Sequence, residues 1–242
     1  MPSIKVIGES CQDIFVYCEA SRLAPDLPVP ILHEKYQESN PGMAANVHRN
    51  IRTKHANCEL LTNMNWERST KTRYVHERTN HTFFRIDSPQ ITLGADISMI
   101  DLKADIIVIS DYDKGFLSKQ DIEFICSLDS VVFLDTKKKL GEWAKGADFI
   151  KINDFEFSRS EPFITEELRQ KIIRTLGGQG CEFQGVTYPV EKVNIGDTSG
   201  AGDSFLAALV CAYINSGDII ESIKYANESA SRIVRSRGVG VI

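Results

Sequence analysis

The 242-residue sequence has no apolar run approaching the length of a membrane span, and Met1-Pro2-Ser3-Ile4-Lys5 lacks the apolar core of a secretion signal. A cytoplasmic protein with no membrane partner is therefore expected. Basic excess is also missing: the net charge is -5, which argues against general binding to nucleic acid. The six cysteines (Cys11, Cys18, Cys58, Cys126, Cys181, Cys211) include no C-x-x-C pair, so free buried thiols are expected rather than a metal site or a disulfide framework. No glycine is followed by Lys-Ser or Lys-Thr, which excludes a Walker-type phosphate loop. Internal repeats, low-complexity segments and interdomain linkers are absent too, and residues 1–242 are expected to form a single domain.

The stretch that is most informative is Gly196-Asp197-Thr198-Ser199-Gly200-Ala201-Gly202-Asp203-Ser204-Phe205, followed at once by the Ala- and Leu-rich run 206–213. That run reads as a buried helix, so a loop of small residues opens onto a helix N-terminus. First-turn N–H groups there lack intrahelical partners, and Gly200, Ala201 and Gly202 would let an anion approach them closely. Asp203 lies in the same turn. An anion cradle beside a carboxylate base suits phosphoryl transfer to a hydroxyl. Taken alone, such a loop also serves simply to join a strand to a helix. It is not a dinucleotide fingerprint, because Phe205 stands where the third glycine would be.

Along the rest of the chain, continuous apolar runs at Ile4-Lys5-Val6-Ile7, 58–61, 104–110, 131–134 and 149–152 read as buried strands, alternating with helical stretches at 120–128, 165–173 and 219–234. This alternation predicts a doubly wound, mostly parallel α/β sheet with helices on both faces. Strands at 14–18 and 30–34, separated by a Pro-rich segment, predict a small antiparallel flap over 14–40. A hairpin is expected at 74–87, turning at Thr79-Asn80, and another at 181–190 through Gln184-Gly185. Asn40 and Pro41 have the character of an N-cap and first helical residue. Asp111-Tyr112-Asp113-Lys114-Gly115 and Asp135-Thr136-Lys137 follow two of the strands, so Lys114 and Lys137 are expected at neighbouring strand ends, able to neutralise a phosphate.

The segment 196–205 resembles the C-terminal signature D-T-x-G-A-G-D-x-F of the ribokinase-like (PfkB) carbohydrate kinases. Five further stretches, in the same order as in that family, support the resemblance. Asn40-Pro41-Gly42-Met43-Ala44-Ala45-Asn46 is similar to P-G-G-A-A-N, with Met43 replacing the second glycine. Asn153-Asp154-Phe155-Glu156 is similar to N-x-x-E, and Thr175-Leu176-Gly177-Gly178-Gln179-Gly180 to T-L-G-x-x-G. The run 21–30 and the stretch 110–115 look like those of the bacterial heptose-phosphate kinases.

The resemblance implies a ribokinase-like fold, ATP and Mg2+, and a sugar or sugar-phosphate acceptor, a heptose 7-phosphate being the candidate. It implies sugar binding by Asp13, Gly42 and Asn46 under the flap, with Lys114 and Lys137 on the substrate's phosphate. Nucleotide binding would fall to Asn153, Glu156, Thr175, Gly177, Gly180 and Asn227, with Glu156 reaching Mg2+ through water. Asp203 would be the base, with Gly200, Ala201 and Gly202 around the phosphoryl group. Asp197 would help bind K+ or another monovalent cation, and the flap would serve as a homodimer contact. Family members carry more chain after the strand at 58–61, so this sequence is shortened there. Two alternatives remain at this stage: a non-catalytic sugar-phosphate-binding or regulatory protein of the same fold, and a nucleoside kinase.

Overall fold

The computed structural model describes residues 1–89, 92–191, 198–235 and 240–242. In chain order its elements are β1 (Ile4–Gly8), β2 (Ser10–Leu23), β3 (Pro30–Met43), α1 (Ala44–Arg52), β4 (Cys58–Leu61), β5 (Thr70–His76), β6 (Thr82–Asp87), β7 (Ile106–Asp111) and α2 (Lys119–Ile125). These are followed by β8 (Val131–Thr136), β9 (Phe149–Asn153), α3 (Asp154–Ser160), α4 (Glu166–Arg169), β10 (Ile172–Thr175), β11 (Cys181–Phe183), β12 (Val186–Tyr188), α5 (Ala201–Ser216) and α6 (Ile219–Ile233).

Eight strands form the main sheet in the order β12-β11-β10-β9-β8-β7-β1-β4. Pairing is parallel from β4 to β10 and antiparallel across β10, β11 and β12. Side chains alternate between faces along each strand, and both faces are covered. Ile4, Val6, Ile106 and Val108 enter a cluster with residues of α1, α5 and α6, such as Val47, Leu206 and Ile223. Ile7, Ile107, Ile109 and Ile150 enter a second cluster with Ile122 of α2, Phe157 of α3 and Leu168 of α4. The sheet is thus doubly wound, as the alternation of strands and helices predicts. All six cysteines are free and buried. Among the described residues no helix is long and apolar enough to cross a membrane.

A second, four-stranded sheet in the order β3-β2-β5-β6 forms the lid. It is wider than the flap predicted at 14–40, because the 70–87 hairpin joins it: β5 pairs in parallel with β2. The helix predicted to start at Asn40 starts instead at Ala44. β3 continues to Met43, since Asn40 pairs with Asp13 and Met43 with Ser10 in the β2–β3 ladder, and those ladder bonds outweigh a capping preference. The 165–173 helix is also shorter than predicted, since Ile172 and Ile173 pair with β9. The connection from β4 to β5 is brief, with one 3-10 turn at Trp66–Arg68, and β4 is left as an edge of the main sheet.

Candidate active site

Gly200 takes a left-handed conformation (φ 73°) as N-cap of α5, a geometry that favours glycine. The Ser204 N–H begins the helical ladder on the Gly200 carbonyl at 2.9 Å, and the Ala201 N–H bonds the Thr198 carbonyl at 3.2 Å. Among the described residues the first-turn donors still open are therefore those of Gly202 and Asp203, so Ala201 contributes small size rather than an N–H. A Cβ on Gly202 would stand 3.0 Å from Lys151 Nζ, which places an ammonium group beside the same turn.

Asp203 is buried (4 % exposed). Tyr112 donates its hydroxyl to Asp203 Oδ1 at 2.6 Å, and Asn46 donates Nδ2 to Oδ2 at 3.2 Å. Burial pushes the Asp203 carboxyl above its ordinary range, against the pull of these two hydrogen bonds and of Lys151. The Tyr112 hydroxyl is raised well above its usual value, first by burial and then by the charges of Asp203 and Asp135, so it remains a donor. Asn46 thus touches the expected base directly. Its own Oδ1 accepts from Asn50 Nδ2 at 3.0 Å and Arg49 Nη2 at 3.2 Å.

On one side of Asp203 lies a cavity of about 610 Å³ whose lining includes Tyr112, Lys137, Lys151, Asn153, Gly202 and Asp203. A second cavity of about 490 Å³ includes Thr175, Gly177, Gly180, Gly202, Phe205 and Asn227. Thr175, Gly177 and Gly202 belong to both. Residues separated by most of the C-terminal half are therefore brought to one place. Asn153 and Glu156 also act locally by forming the capping box of α3, with each backbone N–H donating to the other's side chain at 2.8 Å. Asn227 donates Nδ2 to the Tyr188 carbonyl at 2.9 Å.

Lys137 bridges two carboxylates, with its Nζ 2.5 Å from Glu156 Oε1 and 3.7 Å from Asp135 Oδ1. Burial opposes its charge, but Asp135 and Glu156 raise the ammonium well above its ordinary value. Burial would likewise raise the Asp135 carboxyl, yet Lys151, at 2.7 Å, and Lys137 hold it below its usual range. Asp135 Oδ1 is buried without a hydrogen-bond donor. Two carboxylates flanking a cation, one with an unbonded oxygen, suit a magnesium ion that shares its shell with water and phosphate. No group of three or more His, Cys, Asp or Glu among the described residues forms a metal cage.

On the other side, Asp13 Oδ1 accepts from Arg73 Nη1 of the lid at 2.6 Å. Gly42 packs against this pair: a Cβ there would collide with Asp13 Oδ2 and stand 2.9 Å from Cys11 Sγ.

Lys114 and Lys137 do not converge. The buried Glu9 carboxylate accepts the backbone N–H groups of Tyr112, Lys114 and Phe116 at 2.8, 2.9 and 3.1 Å. Together with positive φ at Asp113 (57°) and Gly115 (95°), those bonds turn the loop so that Lys114 is exposed and lines neither cavity. Lys137 is directed to Glu156. Asp197, the expected monovalent-cation ligand, lies outside the described residues. Glu9 and Lys151 carry no motif of their own that would single them out in the sequence, and Tyr112, although it lies in the 110–115 stretch, carries no role in the sequence reading. The one local signal is at Lys151, a charge inside the apolar run Phe149-Ile150-Lys151-Ile152.

The model of the pfkB family of carbohydrate kinases matches residues 116–241, and the chain belongs to that family. The chain is similar to the bifunctional protein HldE of Bradyrhizobium diazoefficiens, with 26% identity over 302 aligned positions covering 99% of this chain and 61% of that protein. That alignment exceeds the 242 residues present here, in keeping with the short passage from β4 to β5. Among solved structures, a ribokinase from Thermotoga maritima is similar, with TM-score 0.73 and 18% identity, over 99% of this chain and 95% of that one. So is phosphofructokinase-2 from Escherichia coli in complex with potassium, at TM-score 0.70 and 15% identity, covering 100% and 95%. At these identities the likeness shows the ribokinase-like fold.

Proposed function

We propose that this protein transfers the γ-phosphoryl group of ATP to a hydroxyl of a sugar or sugar phosphate, a heptose 7-phosphate being the candidate. The observation that carries this reading is the buried Asp203 carboxylate, held by Tyr112 and Asn46 in the same helical turn as the open N–H groups of Gly202 and Asp203. ATP would lie through the two cavities, its base side toward Asn227 and its phosphates toward Thr175, Gly177, Asn153 and Lys151. Gly180 closes the turn beneath it: a Cβ there would meet Pro189 Cα at 3.0 Å.

Asp203 accepts the proton of the attacking hydroxyl, and the burial that raises its pKa makes it a better base. The N–H groups of Gly202 and Asp203, with Lys151, stabilise charge on the transferring phosphoryl group. Asp135 and Glu156 would hold magnesium, largely through water, to neutralise phosphate charge. Lys137 is then free to turn from the two carboxylates to a phosphate oxygen. Asp13, Gly42 and Asn46 hold the acceptor under the lid. Asp197 remains the candidate for a monovalent-cation contact.

The outer side of the lid exposes Leu23 (59 %), Phe84 (46 %) and Ile86 (54 %), and a cytoplasmic homodimer that buries this face is part of the reading. Light scattering at micromolar concentration should give the mass of a dimer; a monomer would remove that part. The activity is tested by coupled ADP release from MgATP against a panel of phosphorylated and neutral sugars. ADP formation that depends on a sugar is expected. Acceptor-independent hydrolysis alone, or no ADP with any sugar, would overturn the reading.

A further inference from the structure

The lid carries a cation, Lys71, that its own carboxylates do not neutralise. Residues directly opposite on paired strands share a face, as do residues two apart on one strand. Asp13 is opposite Lys71, while Lys71 is opposite Asp87 and Arg73 opposite Arg85. All five charged side chains therefore stand on one face of the lid. Arg73 takes Asp13 at 2.6 Å, and Arg85 takes Asp87 at 2.8 Å. Both carboxylates are then occupied, and among the described residues Lys71 has neither an ion pair nor a hydrogen bond.

Lys71 is only partly exposed, and its Nζ stands 5.0 Å from the centre of the Tyr112 ring. The hydroxyl of that same ring is on Asp203 at 2.6 Å. One tyrosine side chain thus separates Lys71 from the expected base. The other lysines around the site are taken: Lys137 by Glu156 and Asp135, Lys151 by Asp135, and Lys138 by Asp111 and Asp113. Lys137 also lies 5.3 Å from the Tyr112 ring, but it belongs to the cavity that contains Asn153 and Thr175. Lys71 belongs to the strand beside Asp13. The Tyr112 ring thus has two ammonium groups near it, one from the lid strand and one from the end of β8.

We infer that Lys71 receives an anionic group already present on the acceptor, a phosphate monoester, while the reacting hydroxyl of the same molecule lies at Asp203. This rests on the kinase reading above and assigns its substrate class: a sugar phosphate, bound across the width of the Tyr112 ring. An ammonium without a carboxylate partner gains a charge-assisted bond on meeting phosphate and gives up no existing ion pair. Arg73, with one of its five N–H donors on Asp13, can supply a second bond from the same face.

The test uses the full chain with Lys71→Met, which keeps the apolar stem, Lys71→Arg, which restores charge, and Lys114→Ala as the rival site. Binding of sedoheptulose 7-phosphate and of sedoheptulose is measured by calorimetry. KM and kcat are measured for the best phosphorylated acceptor and its neutral parent. Lys71→Met should weaken binding and raise KM for the phosphorylated sugar by roughly tenfold. KM for ATP, binding of the neutral sugar and kcat should stay near wild type, and Lys71→Arg should recover most of the loss. Four results would overturn the assignment: equal effects on phosphorylated and neutral sugars, no effect of Lys71→Met, a larger effect of Lys114→Ala, or wild-type protein that binds neither sugar. Turnover of neutral sugars alone would sink this inference and leave the kinase reading standing. Binding of the sugar phosphate without any transfer would do the reverse.

Discussion

On the side of Asp203 proposed for the nucleotide, Asn153, Glu156, Thr175, Gly177 and Asn227 are carried by strand ends and helices of the main sheet, and the family match over residues 116–241 covers all of them. On the acceptor side, Asp13, Gly42, Asn46 and Lys71 all precede that match and meet at the junction of the main sheet with the lid. The departures from the family pattern gather on this second side. Met43 stands where the resemblance has glycine, at φ 61° and ψ -133°, in a region that costs a non-glycine residue ~1–3 kcal/mol. Its side chain is 1 % exposed, and burying a methionine contributes ~1.5–3 kcal/mol, enough to offset the strain. The half proposed to handle the phosphoryl group keeps its pattern, while the half proposed to receive the sugar is altered and braced by ion pairs.

The sharpest way to break this comparison is Asp203→Asn, which removes the group both halves share. Turnover should fall by about 10²–10⁴ with ATP binding kept within a few-fold; near-wild-type turnover would remove Asp203 from the role of base.

Gly42→Ala addresses the acceptor half alone. The new methyl must displace Asp13 from Arg73 or push Cys11, at a cost of ~1–3 kcal/mol in stability. KM for the sugar should rise severalfold while KM for ATP is unchanged, as steady-state kinetics with either substrate varied would show. An equal rise in both would mean that the halves are not separate.

Tyr112→Phe acts at the boundary. The variant keeps the ring beside Lys71 and Lys137 but removes the donor that opposes the burial-driven rise of the Asp203 pKa. The base must be ionised to work, so activity is lost as pH falls through that pKa, and losing the donor moves the acid limb of kcat to higher pH. A loss of about tenfold in kcat is expected along the acid limb, the size of one hydrogen bond to a charged group. An unshifted acid limb in the pH profile would show that the Tyr112 contact does not tune the base.

Asn227→Ala should have the smallest effect. It leaves the Tyr188 carbonyl without its donor and should raise KM for ATP two- to tenfold, at about 1 kcal/mol, without changing KM for the sugar. Unchanged ATP kinetics would take Asn227 out of the nucleotide half.

That the residues proposed for the nucleotide come together at one place was legible in the sequence because they sit in short local patterns at strand ends, and apolar runs locate those ends. Asn153 and Glu156 are three residues apart and need only a turn to meet. The acceptor half depends on pairings that no local pattern encodes. Glu9 reaches the N–H of Tyr112 across 103 residues, and this contact turns Lys114 outward where strand order alone had it facing the crevice. Lys71 and Arg73 precede the hairpin expected at 74–87, and nothing marks them until the register with Asp13 and Asp87 is known. Asn40 and Pro41 have the chemistry of a helix start, yet the lid ladder holds them in a strand. The buried Lys5, paired with Glu59 and Asp101 on the far side of β1, shows why a charge in an apolar strand is not by itself a sign of a site.

The central claim is that the α5 turn moves a phosphoryl group onto a sugar hydroxyl rather than merely binding the two reactants. 31P NMR of the wild-type protein with MgATP and a heptose 7-phosphate tests it directly. The account predicts loss of the γ-phosphate resonance, matched one-for-one by ADP and by a second phosphate ester on the sugar. Release of inorganic phosphate alone, or unchanged ATP in the presence of bound sugar phosphate, would contradict it.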